Sequence, residues 1–373
     1  MASPTDLPTP PATPGPSAAS APPRPAPAAR PSLWSAHLEL GKARLNALVV
    51  FTTALGFIAG SRSIQSPSDD FFSGVLWTRL LWTCLGTFLA AAGASAFNQA
   101  LEARRDALML RTRHRPLCTG RLTRTYAAAL GLILCISGIA LLVPLANALT
   151  AALAAGNVLL YVLLYTPLKP VSTINTLVGA VVGGVPPVLG WTAATGQLAP
   201  GALVLGTILF VWQIPHFLAR CWMAREDYAR GGFKMLPLVD ATGRLTSRLA
   251  LLYAILLMPL CLLVHFLRHA GMPFVVISFL LTLALLGVAL RFAFTRAHPD
   301  ARRLFLAGII YLPILCLTLM LDARTPELER LRAVQTLADD PAFIDPGSEE
   351  GRLLNASLTT PVPPQSRPAT QQP

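Results

Sequence analysis

Apolar residues occupy nine runs along the chain, and short segments between them carry most of the charged and turn-forming residues. A transmembrane helix needs about 20 consecutive, mostly apolar residues, and each run reaches that length alone or with its flanking residues. The pattern therefore predicts an all-α integral membrane protein, folded as a bundle of nine transmembrane helices. The predicted spans are residues 45–60, 75–97, 126–144, 147–165, 174–192, 201–220, 248–267, 273–294 and 303–321.

The two ends of the chain differ from this pattern. Residues 1–33 are rich in proline and alanine, and residues 322–373 are polar and acidic, so neither end has the apolar residues to bury a core. We expect a disordered N-terminal arm, a transmembrane domain over residues 34–321 and a disordered C-terminal tail. The arm lacks the apolar stretch of a secretory signal and has few of the arginines typical of a transit peptide.

Composition excludes two other classes of protein. Of the 373 residues, 53% are hydrophobic and only 13% are charged, whereas a soluble domain carries about a quarter charged residues. A compact soluble enzyme is therefore excluded, and so is a chain that is disordered throughout.

The net charge of +12 suggests nucleic-acid binding at first, but its distribution indicates membrane orientation instead. With the N-terminus inside, 22 of the 30 basic residues lie on inner segments, and only 3 lie on outer segments before the C-terminal tail. Positive charge concentrates on the cytoplasmic side of membrane proteins. We expect the N-terminus in the cytoplasm, the C-terminus outside, the bilayer as a partner and no nucleic-acid partner.

A first charged cluster follows the second predicted span. Asn98, Glu102 and Asp106 recur every four residues, which places an amide and two carboxylates on one helix face. Arg111 and Arg115 follow closely. Carboxylates for Mg²⁺ beside arginines for phosphate would suit a diphosphate substrate. The same pattern also fits a solvated helix with internal ion pairs, and the spacing alone leaves both interpretations open.

A second charged cluster follows the sixth span. Asp227 is the candidate for a further metal-binding carboxylate, and Arg225, Tyr228 and Arg230 supply hydrogen-bond donors beside it. Lys169 lies on the same predicted side, where it could contact a diphosphate or serve only as a topology charge.

His216 stands alone at the inner end of the sixth span. It could bind haem iron, bind a carboxylate, move a proton or be a structural histidine.

The order of these motifs resembles a known family, the protoheme IX farnesyltransferases of the UbiA superfamily of intramembrane prenyltransferases. The resemblance covers about residues 35–320 and distinguishes this family from the quinone prenyltransferases, because the position four after Asp227 is Gly231 rather than a second aspartate. The motifs are Asn98-x-x-x-Glu102-x-x-x-Asp106, Arg111-Thr112-x-x-Arg115-Pro116, the YTPLK segment at 165–169, the Gly- and Pro-rich segment at 175–191, Pro215-His216-Phe217, Arg225-Glu226-Asp227-Tyr228 and Met235-Leu236-Pro237.

The resemblance implies a reaction and a set of site residues. The enzyme would transfer farnesyl from farnesyl diphosphate to the 2-vinyl group of haem B, giving haem O and diphosphate, with Mg²⁺ as cofactor. The implied catalytic residues are Asp106, Asp227, Arg111, Arg115 and Lys169; the metal ligands are Asn98, Glu102, Asp106 and Asp227; and the substrate-binding residues are Asn98, Arg225, Tyr228, Arg230 and His216.

Several alternatives stay open at this point. A prenyltransferase acting on an aromatic quinone precursor uses similar chemistry, and a transporter or ion channel would share the membrane topology. The membrane is expected to be a bacterial plasma membrane, with the mitochondrial inner membrane as the alternative. Haem A synthase or the assembly of a terminal oxidase would be a further partner.

Overall fold

The computed structural model describes residues 32–64 and 74–322, and within these ranges nine helices are long and apolar enough to span a membrane. The predicted all-α, nine-span fold is confirmed, whereas the predicted arm and tail lie almost entirely outside the described residues. The nine spans are α2 (Ala43–Ile64), α3 (Gly74–Asp106), α4 (Arg124–Leu145), α5 (Ala148–Leu159) with its continuation to Leu168, α7 (Asn175–Thr195), α8 (Pro200–Met223), α11 (Arg244–Phe266), α12 (Met272–Thr295) and α13 (His298–Asp322).

Four shorter helices complete the described part of the chain, and the second of them forms the end of the fourth span. They are α1 (Leu33–Leu40), α6 (Thr166–Leu168), α9 (Arg225–Arg230) and α10 (Leu236–Val239). We call the end of the bundle where α2 begins and α3 ends the charged end.

Helix α3 is much longer than the run 75–97 predicted for it. Its 33 residues correspond to about 50 Å at 1.5 Å per residue, whereas the hydrocarbon core of a bilayer is about 30 Å thick. The additional turns at the charged end carry Asn98, Glu102 and Asp106. The acidic row therefore belongs to the same rigid helix as the membrane span.

A short turn at Ala146 and Asn147 separates α4 from α5. Helix α4 ends at Leu145, and the Asn147 side chain begins α5 because its Oδ1 accepts a hydrogen bond from the Thr150 amide at 2.8 Å. This is an ordinary N-cap, in which a short polar side chain satisfies an amide that the helix leaves unpaired.

A π-helical turn, Leu160–Tyr165, joins α5 to α6. Its wider turn is closed at Thr166, whose amide and hydroxyl both donate to the Tyr161 carbonyl. Such turns occur often at functional sites, and this one carries Tyr161 and Tyr165.

Helices α2 and α7 approach each other closely at glycines. A Cβ atom on Gly190 would overlap the Thr53 carbonyl oxygen, and one on Gly56 would overlap the Pro187 carbonyl oxygen. Small residues allow this packing where no hydrophobic force drives membrane helices together. Helix α8 packs against α7, α11 and α13, and a buried apolar core lies among these helices and α12.

The α2–α7 contact yields a stability prediction. We expect Gly190→Ala to destabilise the fold by about 1–3 kcal/mol, because the added methyl group overfills the contact. This corresponds to a lower thermal unfolding midpoint in detergent, by at least about 2 °C. Gly287→Ala is the control, since no atom lies within 4 Å of its added Cβ. An equal midpoint for Gly190→Ala and wild type would contradict the contact.

Candidate active site

A cavity of about 1550 Å³ extends from the charged end into the bundle. Charged and tyrosine side chains line it at the charged end, and small or apolar side chains line it farther in. The charged-end lining includes Lys42, Asn98, Glu102, Asp106, Arg111, Arg115, Tyr161, Tyr165, Lys169 and Tyr228.

The acidic row of α3 forms one wall of this cavity. Asn98, Glu102 and Asp106 are exposed by only 0%, 6% and 1%, and all three line the cavity. The helical spacing therefore places them on one face, as predicted from the sequence. Buried carboxylates need partners, because an isolated charge is costly to remove from water.

Each carboxylate has a cationic partner from a different part of the chain. Arg115 Nη1 bonds Asp106 Oδ2, and Lys169 Nζ donates to Glu102 Oε1 at 2.7 Å. The Lys169 ammonium also lies 4.5 Å from the centre of the Tyr165 ring. Burial acts to lower the pKa of Lys169, but the Glu102 carboxylate, together with Tyr161 and Tyr228, raises that pKa above its ordinary value. Lys169 therefore stays charged in the site.

Lys42 is a cavity residue that the sequence patterns did not single out. Its Nζ donates to Asn98 Oδ1 at 2.6 Å and to the Tyr161 hydroxyl at 3.2 Å. Burial, followed by the charge of Lys169, lowers the pKa of Lys42 to about 7. The sequence held one signal that could have pointed to Lys42, the rarity of lysine. The chain has only three lysines, and two of them line this cavity.

The second charged cluster divides between two locations. Tyr228 lines the main cavity, where the Arg111 guanidinium lies 5.6 Å from its ring centre. Burial raises the pKa of the Tyr228 phenol, so it remains a neutral donor. Arg225, Asp227 and Arg230 instead line a separate pocket of about 520 Å³.

Asp227 is directed at backbone rather than at the main cavity. Its Oδ1 accepts from the Leu110 amide at 2.7 Å, and its Oδ2 accepts from the Arg111 amide at 3.2 Å. The structure therefore brings Asn98, Glu102, Asp106, Arg111, Arg115, Lys169, His216 and Tyr228 together at one cavity, and places Arg225, Asp227 and Arg230 beside it.

The donor set fits a magnesium ion that is completed by substrate. In the described part of the chain, no group of three or more His, Cys, Asp or Glu side chains lies close enough to hold a metal. Mg²⁺ is usually held by one or two carboxylates together with water and substrate phosphates. Glu102 and Asp106, with the Asn98 amide, match that requirement.

His216 belongs to an aromatic stack at another wall of the cavity. Its ring lies 5.2 Å from Trp212 at 19° and 4.5 Å from Phe305 at 26°, measured between ring centres and planes. Its Nδ1 is buried against Gly308 without a hydrogen-bond partner.

One helical turn farther along α8, Arg220 lines the cavity with its guanidinium 5.5 Å from the centre of the Phe305 ring. Sequence reasoning also missed this cation.

The apolar part of the cavity has room because its walls carry small side chains. Ala90 and Ala94 of α3, Ala154 of α5 and Gly183 of α7 are among the residues that line it. A polyanion at the charged end and a long apolar group farther in would match the two parts. This arrangement suits the chemistry of a prenyl diphosphate.

Comparison with known proteins identifies the family of the chain. The UbiA prenyltransferase family matches residues 49–310. The protoheme IX farnesyltransferase of the bacterium Koribacter versatilis is 40% identical over 298 residues, which are 78% of this chain and 94% of that protein. The chain belongs to the UbiA prenyltransferase family, and its curated relatives include protoheme IX farnesyltransferases.

A relative from a eukaryote and a solved structure extend the comparison. The mitochondrial protoheme IX farnesyltransferase of Arabidopsis thaliana is 40% identical over 285 residues, 76% of this chain, and the match spans just 64% of that protein. A digeranylgeranylglyceryl phosphate synthase structure superposes with a TM-score of 0.64 at 16% identity, over 78% of this chain and 98% of that one. The structural likeness supports the fold alone.

The Lys169–Glu102 pair yields a second stability prediction. We expect Lys169→Met to destabilise the protein by about 3 kcal/mol or more, because it leaves a buried carboxylate without its partner. Adding Glu102→Gln should recover much of that loss, as measured by thermal unfolding of both variants in detergent.

The exposed pair of Glu226 and Arg230, 3.9 Å apart, provides the control. Glu226→Gln should change stability by less than about 1 kcal/mol. Additive losses from Lys169→Met and Glu102→Gln would contradict a direct interaction between the two buried groups.

Proposed function

We propose that this protein transfers the farnesyl group of farnesyl diphosphate to the 2-vinyl group of haem B, forming haem O and releasing diphosphate. The observation that carries the proposal is the single cavity, in which a cation-rich end adjoins an apolar space of sufficient size for a prenyl chain. The identity of 40% to protoheme IX farnesyltransferases supports haem as the acceptor.

The first step breaks the bond between C1 of the farnesyl group and the diphosphate oxygen. Both bonding electrons leave with the diphosphate, so negative charge grows on its oxygens while an allylic cation forms. Lys42, Arg111, Arg115 and Lys169 line the cavity where that charge would develop. Positioned cations of this kind lower the barrier because they interact more strongly with the transition state than with the substrate.

Magnesium would be held by Glu102, Asp106 and the Asn98 amide oxygen, with phosphate oxygens completing its shell. When bound, Mg²⁺ supplies Lewis-acid stabilisation of the leaving diphosphate. Arg115 and Lys169, which pair with these carboxylates, are within the same group of charges and would redistribute their contacts toward phosphate. Asp227 is not assigned to the metal here, because its carboxylate accepts backbone amides.

The apolar walls protect the cation until the acceptor attacks. The terminal vinyl carbon of haem bonds to farnesyl C1, and the resulting cation next to the macrocycle takes a water molecule and releases a proton. Ala90, Ala94, Ala154 and Gly183 line the cavity and have no polar side-chain atoms to bind water. This limits premature reaction of the cation with water.

The aromatic stack supports a flat acceptor. Trp212, His216 and Phe305 form consecutive parallel rings, and such surfaces favour planar aromatic ligands. Because Nδ1 of His216 is buried against α13, Nε2 is the nitrogen available to a macrocycle or its iron.

Polar side chains near the stack would bind the substrates. Arg220 would neutralise a propionate on the same side, and Tyr228 would donate a hydrogen bond to the bound substrate. Arg225 and Arg230 lie in the adjoining pocket and would contribute positive potential at the entrance.

The membrane setting follows the charge distribution. We assign the charged end to the cytoplasmic side of a bacterial plasma membrane, or to the matrix side if the membrane is mitochondrial. The product would pass to haem A synthase or to the assembly of a terminal oxidase.

The decisive experiment incubates the purified protein with haem B, farnesyl diphosphate and Mg²⁺. We expect haem O and diphosphate to form, detected by chromatography with mass spectrometry, and we expect EDTA to stop the reaction. An aromatic quinone precursor in place of haem B should give no product. Folded protein that prenylates the quinone precursor but not haem B would replace this proposal with the alternative acceptor.

Lys42 provides a specific kinetic prediction. Lys42→Met should lower kcat/KM for farnesyl diphosphate by about 100-fold, because one cation that stabilises the leaving group is lost. Lys234→Met is the matched control, since the Lys234 side chain is exposed and does not line the cavity. Equal kinetics for Lys42→Met and Lys234→Met would remove Lys42 from the site.

A further inference from the structure

The two charged clusters are joined by one partly buried carboxylate. Asp227, in α9, accepts hydrogen bonds from the backbone amides of Leu110 and Arg111, in the segment that follows α3. We call these two hydrogen bonds the Asp227 bridge. The Asp227 side chain is 13% exposed, whereas the neighbouring Glu226 side chain is 82% exposed. Two adjacent carboxylates thus occupy opposite environments.

The hydrogen-bonding capacity of Asp227 is directed toward the bridge. Oδ1 accepts from the Leu110 amide at 2.7 Å and lies 3.4 Å from Nη1 of Arg230, and Oδ2 accepts from the Arg111 amide at 3.2 Å. Asp227 lines the smaller pocket rather than the cavity that contains Glu102 and Asp106. Its carboxylate is therefore occupied by two backbone donors and by the Arg230 guanidinium, without a metal.

A second set of contacts holds the same two segments together. Arg105 Nη1 donates to the carbonyls of Gly231 at 3.2 Å and Gly232 at 3.1 Å, and its guanidinium lies 5.8 Å from the centre of the Phe233 ring. Met109 packs with Phe233 in a small buried apolar cluster. The bridge thus lies at the centre of an extended contact rather than at an isolated loop tip.

The segment held by the bridge carries two of the arginines that line the cavity, Arg111 and Arg115. Arg111 donates its amide to Asp227 while its side chain lies against Tyr228 and lines the cavity. Four residues later, Arg115 pairs with Asp106. Fixing the backbone at positions 110 and 111 therefore limits where both guanidinium groups can lie.

We propose that Asp227 is a positioning residue, whose bridge to Leu110 and Arg111 holds the arginines of the first cluster over the diphosphate end of the cavity before any metal binds. This inference deepens the proposed function and rests on it for the identity of the anion. It assigns Asp227 a role other than the metal ligand that the sequence resemblance implies.

The test is hydrogen–deuterium exchange on the full-length protein in nanodiscs, with EDTA and without substrates. In the wild type we expect the amides of residues 110 and 111 to be protected, because a hydrogen-bonded amide exchanges only when the bond opens. Asp227→Asn should speed their exchange at least about tenfold, since the side-chain amide replaces one acceptor with a donor. Glu226→Gln is the matched control and should leave the exchange unchanged.

Two outcomes would overturn the bridge. Unprotected amides at positions 110 and 111 in the wild type would do so without any variant, and so would equal exchange in Asp227→Asn and wild type. Trypsin gives a second readout, because loss of the bridge should speed cleavage after Arg111 and Arg113 in the metal-free protein. If Asp227 acted only as a metal ligand, its substitution would change neither readout in EDTA.

Kinetics separates the two roles in the working enzyme. The bridge predicts that Asp227→Asn raises KM for farnesyl diphosphate at least about tenfold while the Mg²⁺ concentration for half-maximal rate stays the same. A large increase in that Mg²⁺ concentration, with unchanged KM, would instead assign Asp227 to the metal. Hydrogen exchange does not depend on turnover. If the amides are protected but the protein makes no haem O, the proposed function is rejected and the bridge still stands.

Discussion

The pairing of buried charge at one end of an apolar bundle is the constraint on which the rest of the structure depends. Glu102 and Asp106 lie on a membrane-spanning helix with almost no exposure to solvent, where an unpaired carboxylate would be costly. Lys169 and Arg115 satisfy them from two separate loops. Each loop must therefore return to α3, and this requirement determines how the charged end closes.

The same pairing gives the site its capacity for anions. The cations that neutralise the carboxylates are neither fully exposed nor buried beyond reach, since they line a cavity that is continuous with the apolar interior. A bound polyanion can therefore exchange one set of partners for another without leaving a charge unpaired. Electrostatic preorganisation of this kind reduces the reorganisation that a reaction developing negative charge would otherwise require.

The apolar walls depend on close approach of helices. Glycine at Gly56 and Gly190 lets α2 and α7 touch through their backbones, which fixes two walls of the cavity relative to each other. The π-helical turn at Leu160–Tyr165 then places two tyrosines beside Lys42 and Lys169. Rigid elements thus position the polar side chains, as a site for a reactive cation requires.

Much of the candidate site could be predicted from local spacing. Asn98, Glu102 and Asp106 share one helix face because four residues make about one turn, and the structure retains that row at the cavity. Lys42 and Arg220 could not be found in this way. Neither belongs to a spaced motif, and only the packing of α2 and α8 brings each of them to the cavity.

The sequence by itself determined the nine spans, their order and the helix face of the acidic row, because these follow from hydropathy and helical periodicity within one segment. Only the tertiary structure decided which cation meets which carboxylate and which way Asp227 is directed. Lys169 meets Glu102, and Asp227 meets the backbone at Leu110 and Arg111. These contacts join residues 67, 117 and 116 positions apart, so the packing of the helices, and not local periodicity, determines them.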